Sequence, residues 1–439
     1  MVRRALSMLL LLALLLSACE FGANDTTTSS DAGVQATSTT TTTQPAPTTS
    51  AAPPTTTTTE LDLSGIDLPG VVLAQLEDLI ADAEELRGLQ FLGAPAVLVV
   101  GPEELESRIR DDIEEQSDDI PADEALYKLL GLLEPEADLE NILLDLYGEQ
   151  VAGVYDLETG EIVVRAREGE LSIVEQSTMF HELVHALTDQ HFRIHDDYKA
   201  MFDEGRLDQA AAYQALIEGD ATLAQVMWLQ RLSQRQLGEF VAESLDTETS
   251  ALDEAPPFLV EALMFPYDTG LGFAQALFEA EGWDALNEAY TLLVELPGSS
   301  EQVMTPGDYR RDLPVLVEIP EVSIPGYEIE RTSVWGEASF RIMLDQVLES
   351  DTAVVASDGW GGDAYHQWFD GENAAFLLVY EGDTARDVEE LRAALLQFAL
   401  GSVPEEAFVW VDTKDERLYF IAADETEVGE LIRSTVGLG

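Results

Sequence analysis

The stretch that decides the reading is Thr178-Met179-Phe180-His181-Glu182-Leu183-Val184-His185-Ala186-Leu187. Around it, Ile173, Val174, Met179, Phe180, Leu183, Val184 and Leu187 recur at helical spacing, which predicts a helix over 172–190. On a helix, residues four apart lie about 40° apart around the axis and one turn apart along it. His181 and His185 therefore project from one face and can bind one zinc ion. Glu182 stands beside them, where its carboxylate can take a proton from a water polarised by that ion. The chain has five histidines, at 181, 185, 191, 195 and 366, so two of them in this pattern is not a product of abundance.

A catalytic zinc needs a third protein ligand. His191 falls ten residues after His181, which matches the spacing of the metzincin pattern. That pattern turns the chain at a glycine seven residues after the first histidine. Here the residue is Thr188, β-branched and poorly suited to positive φ. If the helix continues, His191 lies roughly 15 Å along the axis from His181 and about 80° around it, too far to share a metal. His195 would be farther still. Glu218 is the alternative, in Ala215-Leu216-Ile217-Glu218-Gly219-Asp220-Ala221, 33 residues after His185. That is enough chain for a turn and an antiparallel return. The segment is apolar, Gly219 and Ala221 permit close helix approach, and a buried glutamate needs a partner such as a metal. Glu218 is taken as the third ligand.

Upstream, 71–89 reads as a helix and 95–100 as a short buried strand. Helices follow at 102–116, 123–133 and 138–147. Residues 151–165 read as a hairpin turning at Glu158-Thr159-Gly160. Downstream, one helix is expected at 207–236. Helices follow through 258–295, broken at Pro266 and Gly270, and then a Pro-rich extended stretch at 307–330. A helix at 335–349 leads to Gly359-Trp360-Gly361-Gly362. The tail then reads ββαββα, with strands near 364–369, 375–380, 407–411 and 416–422 and helices at 384–400 and 426–436. The expected class is α+β, helix-rich in the middle, with a catalytic domain at 61–330 and a small α+β module at 331–439.

The N-terminus, MVRRALSMLLLLALLLSAC, has a basic start and an apolar run too short to span a bilayer comfortably. Its ending, Leu16-Ser17-Ala18-Cys19, resembles the lipobox of bacterial lipoproteins. The resemblance implies that 1–19 is a signal segment cleaved before Cys19, that Cys19 carries lipid, and that the protein is anchored outside the cytoplasm. Cys19 is the sole cysteine, so the exported part has no disulfides. Residues 20–60, Thr-, Ser- and Pro-rich beyond 24, read as a flexible tether.

Over 439 residues, 22 Lys and Arg face 85 Asp and Glu, a formal charge of −63 that excludes sequence-independent nucleic-acid binding. Lysine occurs only at 128, 199 and 414, so the acidity belongs to the whole surface. Such a surface suits a salty surrounding and favours cations.

His181-Glu182-Leu183-Val184-His185 followed by Glu218 on a second helix resembles the gluzincin branch of the zincin metallopeptidases, over about 150–235. The resemblance implies a small sheet whose edge strand holds a peptide substrate above the active-site helix; 162–165 or its hairpin partner would be that edge. It also implies that His181, His185 and Glu218 hold zinc, that Glu182 is the general base, and that the substrate is a peptide or protein. The gap before the glutamate is longer than in the best-known gluzincins, which leaves the subfamily open. A non-catalytic binding lipoprotein and a zinc hydrolase of a non-peptide bond are the alternatives. Tyr213, Tyr267, Tyr365 and His366 are candidates for stabilising an oxyanion. Asp189 and Asp220 could orient a ligating imidazole.

Overall fold

A computed structural model describes residues 61–439 apart from 64, 67, 116–118, 167–168, 246–249 and 296–297. The expected signal segment, Cys19 and the expected tether lie outside the described residues. The described chain is a mixed α+β molecule with two sheets.

The first sheet has three strands, β1 (Ala96–Val100), β2 (Gly153–Asp156) and β3 (Glu161–Arg165), in the order β1-β3-β2. β1 runs parallel to β3, and β2 antiparallel to it. The hairpin closes as expected. Asp156 accepts the backbone N–H groups of Glu158 and Thr159, and Gly160 takes φ 70°, a conformation glycine adopts without strain. Because β3 is paired on both sides, it cannot be the substrate-holding edge; within the hairpin only β2 has a free side.

Under this sheet lies the helix Ile173–Phe192, here called the motif helix. Ser172 and Glu175 form a reciprocal capping box at its start. Its inner face carries Phe180, Leu183, Val184 and Leu187 into a core with Leu76 and Leu79 of helix Gly70–Arg87, Ile162 and Val164 of β3, and Trp228. Antiparallel return is made by Leu207–Leu229, the glutamate helix, after a short helix Ile194–Asp203 that sequence periodicity did not disclose. The glutamate helix is buried nearly all round. It ends at Leu229 rather than running to 236. Ser233 caps a separate helix, Gln234–Ser244, with a second capping box to Gln236.

The helix Pro257–Glu281 runs unbroken through both Pro266 and Gly270, where breaks were expected. Proline inside a helix costs about 3 kcal/mol locally. Packing along the length of the glutamate helix offsets that cost. Gly270 is a contact, not a break: a Cβ on it would stand 2.1 Å from Ala215 O, and one on Gly219 would stand 2.0 Å from Gly270 O.

The C-terminal sheet has five strands, all pairs antiparallel: β4 (Glu328–Ser333), β5 (Trp360–Phe369), β6 (Ala374–Gly382), β7 (Phe408–Lys414) and β8 (Arg417–Ala423), ordered β4-β5-β6-β8-β7. The expected ββαββα run is present, and β4 adds an unexpected strand where the Pro-rich stretch ends. The helix expected at 335–349 ends at Asp345, and a further helix, Ser350–Ser357, follows where none was expected. β6 is buried on both faces, because its unbroken apolar run Ala374–Tyr380 sends apolar side chains to each. Phe376, Leu378 and Tyr380 meet Leu391, Leu395 and Phe398 of helix Ala385–Gly401, together with Leu126 and Leu129 of helix Ile120–Leu129. Leu377 and Val379 meet Ile432 of the last helix, Thr426–Thr435, and Val317, Val322 and Ile324. No described helix is long and apolar enough to cross a membrane.

Candidate metal centre

The motif helix continues past Thr188, whose hydroxyl donates to Val184 O and His185 O instead of opening a turn. His191 is therefore carried away, and its Nε2 lies 2.8 Å from Gln90 O. His181 and His185 stay together, with ring centroids 4.6 Å apart. Glu218 comes to them from the glutamate helix. Its Oε2 lies 3.3 Å from His181 Nε2 and 3.5 Å from His185 Nε2. One ligand atom from each of the three residues lies within 4.8 Å of the other two, and all three residues are buried. Gln225, about two turns after Glu218, fixes the helix pair, donating to Ser177 O and Oγ at 2.9 Å each.

Electrostatics separates the two glutamates. Burial pushes the Glu218 carboxyl up, but His185 and His181 outweigh it and hold the group below its ordinary value. Burial pushes Glu182 up to about 8, with Glu218 adding to the rise and His181 opposing it. Neither Glu182 oxygen has a hydrogen-bond partner of ordinary geometry among the described residues, although the Tyr155 backbone exerts a weak stabilising pull. The Nδ1 atoms of both histidines are also buried without partners, as is His185 Nε2. A buried ionisable group without a partner is costly, so this set fits a cation that takes the converging atoms.

The edge strand β2 lies directly against this group. A Cβ on Gly153 would stand 2.6 Å from Thr178 Cγ2 and 3.4 Å from Glu182 Cγ. A pocket opens beside the ligands, lined by Tyr155, Leu157, His185, Ile194, Tyr198, Gln214, Ile217 and Glu218. Tyr155 and Tyr198 were missed in the sequence, where nothing distinguishes them from core aromatics. The Tyr155 hydroxyl donates to Asp189 at 2.8 Å and that of Tyr198 to Gln214 at 3.1 Å.

The supporting residues expected from sequence are mostly elsewhere. Asp189 serves Tyr155 and the His195 N–H, not an imidazole. Asp220, two positions from Glu218, faces away and pairs with Arg87 through both its oxygens, at 2.7 and 2.9 Å. Of the four oxyanion candidates, Tyr267 touches the group, its ring stacked 6.4 Å from that of His181. Tyr213 is buried against Tyr290. His366 sits on β5, its Nδ1 2.7 Å from the Thr332 hydroxyl. Tyr365 lines a separate cavity of about 220 Å³ with Tyr127, Arg331 and Trp335.

Residues 326–433 match a family described as a domain of unknown function, DUF8575. This match covers the C-terminal sheet and its helices and stops short of the metal centre. No curated protein and no solved structure matches the chain.

Proposed function

We propose that the chain is a zinc-dependent, gluzincin-like metallopeptidase, tethered outside the bacterial cytoplasm by lipid on Cys19. The observation that carries the catalytic reading is the convergence of His181, His185 and Glu218 to within 4.8 Å beside a buried, unpartnered Glu182. Two imidazoles and one carboxylate are the donor set of a catalytic zinc with a position left open. When bound, zinc supplies Lewis-acid polarisation of a water and of the scissile carbonyl.

The chain's own residues do the rest. A peptide adds to the free side of β2 through main-chain hydrogen bonds, which sets its carbonyl over the motif helix. Glu182 takes the proton of the attacking water on a carboxylate oxygen and passes it to the leaving amine. Burial raises its proton affinity and the neighbouring divalent charge lowers it, so it can both accept and release a proton near neutrality. The apolar wall of Leu157, Ile194 and Ile217 excludes bulk water from one side of the site.

Glu182→Gln tests this directly. The amide keeps the side chain's size but cannot take the proton. Assayed on a peptide library with matched zinc content, the variant should retain its metal and lose roughly 10²–10⁴-fold in turnover. Unchanged cleavage by the variant refutes the mechanism. A wild-type protein that binds zinc and cleaves nothing favours a binding lipoprotein.

A further inference from the structure

The glutamate helix is buried at every position from Asp208 to Gln225 except Ala211 and Gln214, which are half-buried. Leu207, Ala211, Gln214 and Glu218 stand at i, i+4, i+7 and i+11, which places all four on one stripe of the helix, within about 60° of arc. Gln214 and Glu218 line the pocket beside the imidazoles. Leu207 and Ala211 line the cavity of about 220 Å³ where the body of the molecule meets the C-terminal sheet. On this otherwise closed helix, the accessible surface therefore follows one stripe from that cavity toward Glu218.

Two edge-to-face aromatic pairs wall the cavity. Tyr127 meets Phe258 with ring centroids 5.0 Å apart, and Trp335 meets Tyr365 at 5.5 Å. The four rings come from distant parts of the chain: helix Ile120–Leu129, helix Pro257–Glu281, the link before helix Gly336–Asp345, and β5. An apolar cavity of about 150 Å³ takes up one benzene ring, so this one has room for a ring with a substituent.

The charged groups of the lining already have partners. Arg331 donates to both oxygens of Asp123, at 2.5 and 3.3 Å, and each of the two side chains is 24% exposed. Asp208 is 6% exposed and accepts the Ser300 N–H. The lining thus offers no excess positive charge to a carboxylate or phosphate. One donor is left over: the Trp335 indole Nε1 is buried and has no hydrogen-bond partner among the described residues. The occupant that fits is apolar, of one-ring size, with a carbonyl or hydroxyl acceptor beside the ring.

We propose that this cavity is a remote subsite of the metal centre and takes an aromatic side chain of the peptide substrate. The subsite role rests on the peptidase reading. Ala211 stands seven residues before Glu218, about 10 Å along the helix axis. An extended peptide rises about 3.3 Å per residue, so three or four residues separate the anchored ring from the scissile bond. The main-chain carbonyl beside the ring, or a tyrosine hydroxyl, accepts from Trp335. Held that far from the reacting atoms, the ring decides which bond lies over the metal and leaves the chemistry to Glu182.

Two measurements on the zinc-loaded full chain test it. With the tryptophan indole nitrogens isotope-labelled, N-acetylphenylalaninamide should shift the Trp335 N–H resonance, assigned by its absence in Trp335→Phe. N-acetylalaninamide at the same concentration should not. Ala262→Phe, at an exposed helix position that lines the cavity, fills the space with a ring of its own and should abolish the shift. In a peptide library, wild-type kcat/KM should favour Phe, Tyr or Trp over Ala by at least about tenfold at one position three or four residues from the cleaved bond. In Ala262→Phe that ratio should fall to near one. No shift, a shift or an aromatic preference that survives in Ala262→Phe, or cleavage with no such preference at that distance would overturn the subsite. A shift without cleavage of any peptide would end the peptidase reading, and the subsite role with it, while the cavity keeps its ring.

Discussion

The glutamate helix and the junction with the C-terminal sheet both bury carboxylates, but they satisfy them differently. On the helix, Asp220 receives the guanidinium of Arg87 and the hydroxyl of Tyr290, and Glu218 receives two imidazoles. At the junction, Glu301 and Glu337 receive neither. Arg87 is itself fully buried, lies over the Trp283 ring, and donates also to Asn287. It locks three helices behind the metal centre. The contrast separates carboxylates to which the chain brings its own counter-charge from carboxylates that burial and like charge leave holding a proton.

The largest effect should come from breaking the built-in pair. Arg87→Met strands Asp220 in the core, and removing one partner of a buried pair costs about 3–5 kcal/mol. Urea unfolding should show that loss, with much of it recovered when Asp220→Leu is added. A cost below about 1 kcal/mol would mean that the pair is not what distinguishes the helix from the junction.

The next effect concerns the imidazole-facing carboxylate. Glu218→Ala should weaken zinc binding by at least about a hundredfold, more than a supporting residue is worth, measured by competition with a chromophoric chelator. His191→Ala should leave it unchanged, because His191 is held at Gln90. The opposite ranking would remove Glu218 from the site.

The smallest effect is the pH response of the junction. Burial raises Glu301 to about 9, Glu337 to about 8, Asp208 to about 7 and Asp363 to about 6. These groups keep protons that the unfolded chain has released from about pH 4.5 upward. The folded state therefore binds more protons, and stability falls as pH rises through this window. Asp308, Asp312, Asp358, Asp383 and Arg341 face the same groups and shape the curve. In the metal-free protein, the melting temperature should drop by a few degrees between about pH 5 and pH 8. Glu337→Gln should flatten that slope. A slope unaltered by Glu337→Gln would assign the pH response to the acidic surface at large.

Neighbouring residues fix what local spacing can fix. Histidines four residues apart on an apolar-periodic helix must share a face, and Glu182 must stand beside them, whatever else the chain does. The hairpin with its glycine turn and the ββαββα tail were legible for the same reason, since each is written in neighbouring residues. Thr188 in place of a turn glycine was enough to carry His191 away. The tertiary structure decided what depends on distant parts of the chain meeting. Glu218 stands out among 85 acidic residues only weakly in sequence, through its apolar neighbours. It reaches the imidazoles in a helix pair tied by Gln225, with its own helix pressed against Pro257–Glu281 where Gly219 crosses Gly270. That crossing also turns Gly270 from an expected break into a contact. The roles of Asp220 and Asp189 were misread because their partners, Arg87 and Tyr155, lie 133 and 34 residues away. The junction carboxylates come together from positions 301, 312 and 383. Pairing over such separations leaves no periodic trace, because it is fixed by how helices and sheets pack and not by which residues adjoin.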